Sequence, residues 1–103
     1  DRDWTVLTDH LGGATVAGAK MKSISGWKSD GNGTNESGFN AFPGGYRNNG
    51  GYFYGIGLDG NWWSSSESNT FNAWTRILNN YNGFVGRGNN YKTYGFSVRC
   101  LRD

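Results

Sequence analysis

Residues 72–100 read NAWTRILNNYNGFVGRGNNYKTYGFSVRC. A strand directs successive side chains to opposite faces, so Trp74, Arg76 and Leu78 share one face while Thr75, Ile77 and Asn79 share the other. The first row has the character of packing and the second of display. The parity returns downstream, where Val85 and Arg87 alternate with Phe84, Gly86 and Gly88. An ordinary solvent face carries charge. These displayed positions carry none, and Thr, Ile, Asn, Phe and Gly share no chemical theme. Two such runs separated by the turn-former Asn82-Gly83 predict antiparallel strands with one face outside packing control.

Upstream, short apolar runs follow one another closely, at residues 39–42, 46–47, 52–56 and 61–64, and continue at 72–78, 83–87 and 94–101. Pro43-Gly44-Gly45, Asn48-Asn49-Gly50-Gly51 and Asp59-Gly60 read as the turns between them. The front of the chain has a different period. Trp4, Leu7 and Leu11 recur at the spacing of one helix face, and Gly12-Gly13 is a natural stop, which predicts a helix over residues 2–11. Asp1 and Asp3 suit its positive end, and a helix that starts at the first residue is expected to begin upstream in a longer protein. Val16, Ala17, Lys20 and Met21 predict a second, short helix. SGWKSDGNGTNES, residues 25–37, is dense in Gly, Asn, Ser and Asp and reads as a long loop anchored by Trp27. The class is therefore α+β: two N-terminal helices, then short antiparallel strands and long loops, in one domain over residues 1–103 with no internal repeat.

Composition narrows the function. At 103 residues there is room for one core and no separate catalytic lobe. Glycine numbers 18 and proline one, against 5 Trp, 6 Tyr and 6 Phe, so turns and large flat side chains are abundant together. All the aromatics except Trp4 and Trp27 lie between Phe39 and Phe96, which places the expected core and any aromatic binding surface in that part and makes the first forty residues a lid or flank. A formal charge of +2 with scattered Lys and Arg gives no phosphate-tracking groove, so nucleic acid is not an expected partner. No apolar stretch is long enough to span a bilayer, and DRDWTVLTDH lacks the features of a signal peptide, so no direct membrane insertion is expected.

The chemical inventory is thin. His10 is the only histidine and falls opposite or beside the apolar face of the first helix, so no triad or His-rich metal site forms around it by pattern. Cys100 is the only cysteine, which excludes an internal disulfide and a multi-cysteine metal site. Paired carboxylates for glycoside hydrolysis are not evident. Asp30, Asn32, Asn35 and Glu36 leave a weak oxygen-ligand option in the long loop. No catalytic residue, cofactor or metal is expected. Trp62, Trp63, Trp74 and Phe96 are expected in the core. Arg76, Arg87 and Arg99 lie on the packing side and need carboxylate or carbonyl partners, for which Glu67 and Asp59 are available. Gly86 and Gly88 weaken a strand, so they predict either a bulge or positions whose identity stability does not set.

Several rare words occur in a fixed order: WTVLTDHLGG, VAGAKMKS, GFNAFPGGYR (38–47), NWWSSSE (61–67), NAWTR (72–76) and KTYGFSVRC (92–100). Together they cover nearly the whole chain and resemble the Fibrobacter succinogenes major paralogous domain, typical of secreted or lipid-anchored surface proteins of Bacteroidetes and related bacteria. The resemblance implies a C-type lectin-like fold and a cell-surface or extracellular location, with any lipid anchor in an N-terminal part that precedes residue 1. It also implies a disulfide between Cys100 and a cysteine in that preceding part; a buried free thiol is the alternative. The Glu-Pro-Asn, Gln-Pro-Asp and Trp-Asn-Asp words of calcium-dependent lectins are absent. So are the paired active-site cysteines of the formylglycine-generating enzymes that share that fold.

The tail is also similar to the variable region of proteins diversified by retroelements, in which template Asn codons are randomised to Asn, Ser, Thr, Gly, Tyr, Phe or Ile among others. Asn61, Thr75, Ile77, Asn79, Tyr81, Phe84, Gly86, Gly88, Asn89, Asn90, Tyr91 and Tyr94 match that output, while Trp74, Arg76, Leu78, Val85, Arg87, Lys92 and GFSVRC match an invariant scaffold. These twelve are the expected ligand-binding residues. The implied partner is a protein or glycan on another cell or surface, met by an adhesin or a phage receptor-binding module. The alternative is a fixed-sequence accessory or glycan-binding module of a secreted surface lipoprotein, with binding centred on the loop around Trp27. The parity predicts a large stability cost for Trp74→Ala and a negligible one for Thr75→Ala and Asn79→Ala.

Overall fold

The computed structural model describes residues 1–102. The chain adopts the α+β class, with helices α1 (Arg2–His10) and α2 (Ala17–Met21) ahead of strands β1 (Tyr46–Arg47), β2 (Phe53–Tyr54), β3 (Asp59–Glu67), β4 (Asn72–Asn79) and β5 (Gly86–Tyr91). β1 and β2 form a two-stranded antiparallel ribbon, and β3, β4 and β5 a three-stranded antiparallel sheet in that order. Among the described residues no helix is long and apolar enough to cross a membrane.

Both helices form where the apolar spacing places them, and they pack on one face of the sheet. Trp4, Leu7 and Leu11 of α1 and its C-cap lie against a core of Ala17, Met21, Trp27, Ala41, Trp62, Leu78 and Val85. Ala17, Met21 and Leu78 are fully buried. The core thus draws Ala17, Met21 and Trp27 from the first forty residues, while Tyr52, Phe53, Phe71 and Tyr81 are exposed. This corrects the expectation of a flanking front half: small and aliphatic residues of α2, which an aromatic count overlooks, fill the space beneath the sheet.

The long loop after α2 is built rather than loose. Gly33, Thr34 and Asn35 donate backbone hydrogen bonds to Ser23, Ala19 and Lys22, and Trp27 Nε1 donates to the Ala41 carbonyl at 3.0 Å. Asn32 and Asn35 turn their amide oxygens onto the backbone amides of Trp27 and Asn40, and Glu36 accepts from the Thr34 hydroxyl. These side chains serve the loop's own backbone. The buried Lys22 donates from Nζ to the carbonyls of Asn79 and Asn82, each at 2.9 Å, beside the Trp27 ring. It ties the end of α2 to the end of β4 with no carboxylate partner among the described residues, and burial lowers its pKa.

Four expected boundaries move. Asp59-Gly60 is not a turn but the start of β3, where the Trp62 ring lies across Gly60 in the space a Cβ would need. β5 begins at Gly86 rather than Gly83, because the preceding segment docks on α2 and the turn before it: Gly18 N donates to Gly83 O and Val85 N to Ala14 O. Residues 94–101 form no strand and contribute single bridges, Gly95 to Arg47 and Ser97 to Trp62. Residues 39–42 likewise contribute only the Ala41–Lys22 bridge.

Candidate functional site

The sheet register sorts side chains by face. Asp59, Asn61 and Trp63 of β3 stand opposite Asn79, Ile77 and Thr75 of β4, and Ile77 and Thr75 stand opposite Gly86 and Gly88 of β5. These form the face away from the helices. Trp62 of β3, Arg76 and Leu78 of β4 and Arg87 of β5 form the helix-side face.

On the helix side the charges are closed among themselves. Asp1 receives Arg76 Nη1 at 2.6 Å on one carboxylate oxygen and Arg87 Nη2 at 2.9 Å on the other. The Arg87 guanidinium also lies 3.6 Å from the centre of the Trp74 ring, a cation–π contact that covers Trp74 on a half-buried position. Burial, and then the Arg87 charge, lowers the Arg76 pKa. Glu67 pairs with Lys92, and Arg99 donates to the Phe39 carbonyl while lying over the Phe39 ring. Asp1, not Glu67 or Asp59, is therefore the partner of the sheet arginines. Parity identifies which residues share a face but not which element closes over it.

On the other face the sheet floors an open cleft of 480 Å³. Seven of the expected ligand-binding residues line it, namely Asn61, Ile77, Asn79, Tyr81, Gly86, Asn90 and Tyr94, joined by Tyr46, Asp59 and Phe96. Tyr46 and Tyr94 stack with centroids 6.3 Å apart, and Phe96 meets each edge-on at 6.0 Å, so three rings pack as one wall. Tyr54 extends the cluster from β2 and Trp63 from β3. Lys22 fixes the opposite rim by holding the Asn79 and Asn82 carbonyls on either side of Tyr81.

The other five expected residues lie elsewhere. Thr75 belongs to the cleft face but is fully buried, between Trp63 and Gly88 on the neighbouring strands, with its hydroxyl 3.4 Å from Asn90 Oδ1. Gly88 lies beside it in the register and outside the cleft lining. Phe84 is exposed on the segment that docks on α2, ahead of β5. Asn89 and Tyr91 pair with Trp74 and Asn72 and so belong to the helix-side row. A mixed run of polar residues had hidden their parity. Among the expected core aromatics, only Trp62 is buried; Trp63, Trp74 and Phe96 are half-buried.

Gly86 and Gly88 occupy regular, bulge-free register positions, and neither has a positive φ. A Cβ on Gly86 would find Ile77 O no nearer than 3.6 Å, and one on Gly88 would find Thr75 Oγ1 at 3.7 Å, both ordinary contacts. Of the two explanations for these glycines, the bulge is excluded and a position free of a backbone requirement remains.

Three lining residues were missed in the sequence. Tyr46 and Phe96 reach the cleft from segments outside the sheet, which no strand period can foresee. Asp59 was legible: extending β3 back from Asn61 by one strand repeat puts it on the same face. It is the only charged residue of the cleft lining, burial raises its pKa, and among the described residues no cation lies within ion-pairing distance. Its carboxylate accepts no hydrogen bond within the described residues.

Elsewhere the chemistry is sparse. No three His, Cys, Asp or Glu side chains of the described residues gather as a metal would need. His10 is exposed. Cys100 has no partner among the described residues and is exposed, which corrects the buried thiol of the alternative. Trp27, buried at 4% exposure, is a core side chain and offers no ring to a ligand. The Fibrobacter succinogenes major domain is the family whose model matches the chain, over residues 1–102. No curated protein and no solved structure matches it.

Proposed function

This chain belongs to the Fibrobacter succinogenes major domain family, and we propose that it is a non-enzymatic ligand-binding domain of C-type lectin-like fold that meets a macromolecular partner through the cleft face of its sheet. Its place is a bacterial cell surface or a phage particle, and its cleft is the diversified surface of a retroelement-encoded variable protein. One observation carries this reading. Seven chemically heterogeneous positions, scattered from Asn61 to Tyr94, converge on a single cleft, and the glycine among them occupies a place where a side chain would fit. Positions held by packing do not tolerate such heterogeneity, whereas positions held by nothing but a ligand do. Tyr side chains at the rim add large, stiff, amphipathic contact area at low entropic cost, as in antibody combining sites.

Two measurements test the proposal. Flanking DNA should carry a near-identical repeat differing at adenines within the codons of the cleft residues, together with a reverse transcriptase; absence of both would leave a fixed module as the reading. Binders selected on the domain should lose at least tenfold in affinity with Ile77→Arg, which fills the cleft floor, and be indifferent to Asn89→Arg on the same sheet's other face. Equal sensitivity to the two would place the binding surface elsewhere.

A further inference from the structure

We propose that the cleft receives the cationic side chain of a partner protein, an arginine, with Asp59 as its counter-ion. This rests on the cleft being the ligand site and adds what the ligand must bring to it. Among the described residues Asp59 lines the cleft without an ion-pair partner, whereas the other half-buried carboxylate, Asp1, engages two arginines. An anion left unpaired in a partly desolvated cleft lowers stability, and a ligand charge is what offsets that cost. None of the described residues supplies such a charge.

The remaining walls suit a guanidinium. The rings of Tyr46, Tyr94 and Phe96 offer π surfaces, which attract a cation and stack well with a planar one. Among the described residues the side chain of Asn61, a residue 5% exposed, makes a single contact, from Nδ2 to Gly45 O at 3.5 Å, and the side-chain oxygen of Asn79 accepts no bond. Carboxylate and amide oxygens together can accept the several in-plane donors that an arginine presents and a lysine does not. At 480 Å³ the cleft has room for the side chain and part of the segment that carries it. A neutral sugar would satisfy the amides and rings but leave the carboxylate unbalanced, so the protein partner is favoured over a glycan.

The probe is the tripeptide acetyl-Gly-Arg-Gly-amide, titrated into the isotope-labelled chain while the side-chain amide signals of Asn61 and Asn79 are followed by NMR. Citrulline in place of arginine keeps the planar shape but removes the charge and exchanges one NH2 donor for a carbonyl acceptor, and should bind at least tenfold more weakly. Asp59→Asn should weaken the arginine peptide at least tenfold and leave the citrulline peptide unchanged; a thermal melt of the variant establishes that it is folded. Equal binding of the two peptides, no response to arginine, or arginine binding that survives Asp59→Asn overturns the inference. Methyl glycosides that move the same signals when the arginine peptide does not would assign the cleft to glycans. Peptides selected from a random library separate this inference from the reading beneath it. Binders lacking Arg that are lost with Ile77→Arg overturn the counter-ion role alone, and binders indifferent to Ile77→Arg overturn both.

Discussion

Thr75 and Asp59 are the two residues whose behaviour departs most from their neighbours on the cleft face. Thr75 shares the outward parity of Ile77 and Asn79 yet has no exposed surface. Trp63 and Gly88 flank it on either strand, and Asn90 reaches its hydroxyl. Thr75→Ala therefore removes a buried methyl and a buried hydroxyl, and should cost about 1–2 kcal/mol in urea melts; a cost within about 0.3 kcal/mol would mean that the residue is exposed in solution. For Asp59, burial raises the folded-state pKa above that of the unfolded chain. The folded state then binds the proton more tightly, so this group's stabilising contribution is full below about pH 3.9, the unfolded value, and is lost as pH rises through the folded one. Asp59→Asn should raise the melting temperature at pH 7 and give no gain at pH 3. A variant less stable than the parent at neutral pH would mean that the carboxylate has a partner in the free protein.

At the scale of the element, β5 and α2 show two opposite uses of glycine. Gly86 and Gly88 have room for a methyl group, so Gly86→Ala and Gly88→Ala should be neutral or stabilising by about 0.4–1 kcal/mol through the entropy of the unfolded chain. Gly18, inside α2, has the carbonyl oxygens of Phe84 and Gly83 at 2.6 and 2.7 Å from where a Cβ would stand. Gly18→Ala should cost about 1–3 kcal/mol despite alanine's better helix propensity, because backbone must move. The same ordering in denaturant melts for all three would refute the distinction. The contrast also marks what a sequence can carry. Apolar periodicity predicts both helices to within a residue or two and β4 almost to its ends, because those signals are local. The onset of β5 depends on Gly83 and Val85 being used to dock on α2 and the turn before it, and the strand character of Asp59-Gly60 depends on where the Trp62 ring lies. Both are contacts between distant segments. For the same reason strand parity finds Ile77, Asn79 and Gly86, and the resemblance to diversified tails adds Asn61, Tyr81, Asn90 and Tyr94, but neither finds Tyr46 or Phe96, which come from outside the sheet.

Across the whole molecule the sheet separates two tasks. One face carries Trp62, Leu78 and Arg76, closed by α1, α2 and Asp1, and the other carries a cleft whose lining contributes no residue to the buried apolar core. Core packing at one face is insulated from substitution at the other by the backbone ladder of β4, which is hydrogen-bonded on both sides. If that division holds, cleft residues can be exchanged together with little thermodynamic consequence. The variant combining Ile77→Thr, Asn79→Ser, Tyr81→Ser and Gly86→Ser should lose no more than about 1 kcal/mol, equivalent to a fall of about 4–8 °C in melting temperature for a chain of this size. Its two-state cooperativity should be retained, because no residue of the helix-side core has changed. A fall well beyond that range, or a broadened transition, would show that the cleft wall is part of the folding unit, and the surface could then not diversify without loss of the fold. Retained stability together with abolished binding is the combination expected of a scaffold whose recognition surface is set independently of its core.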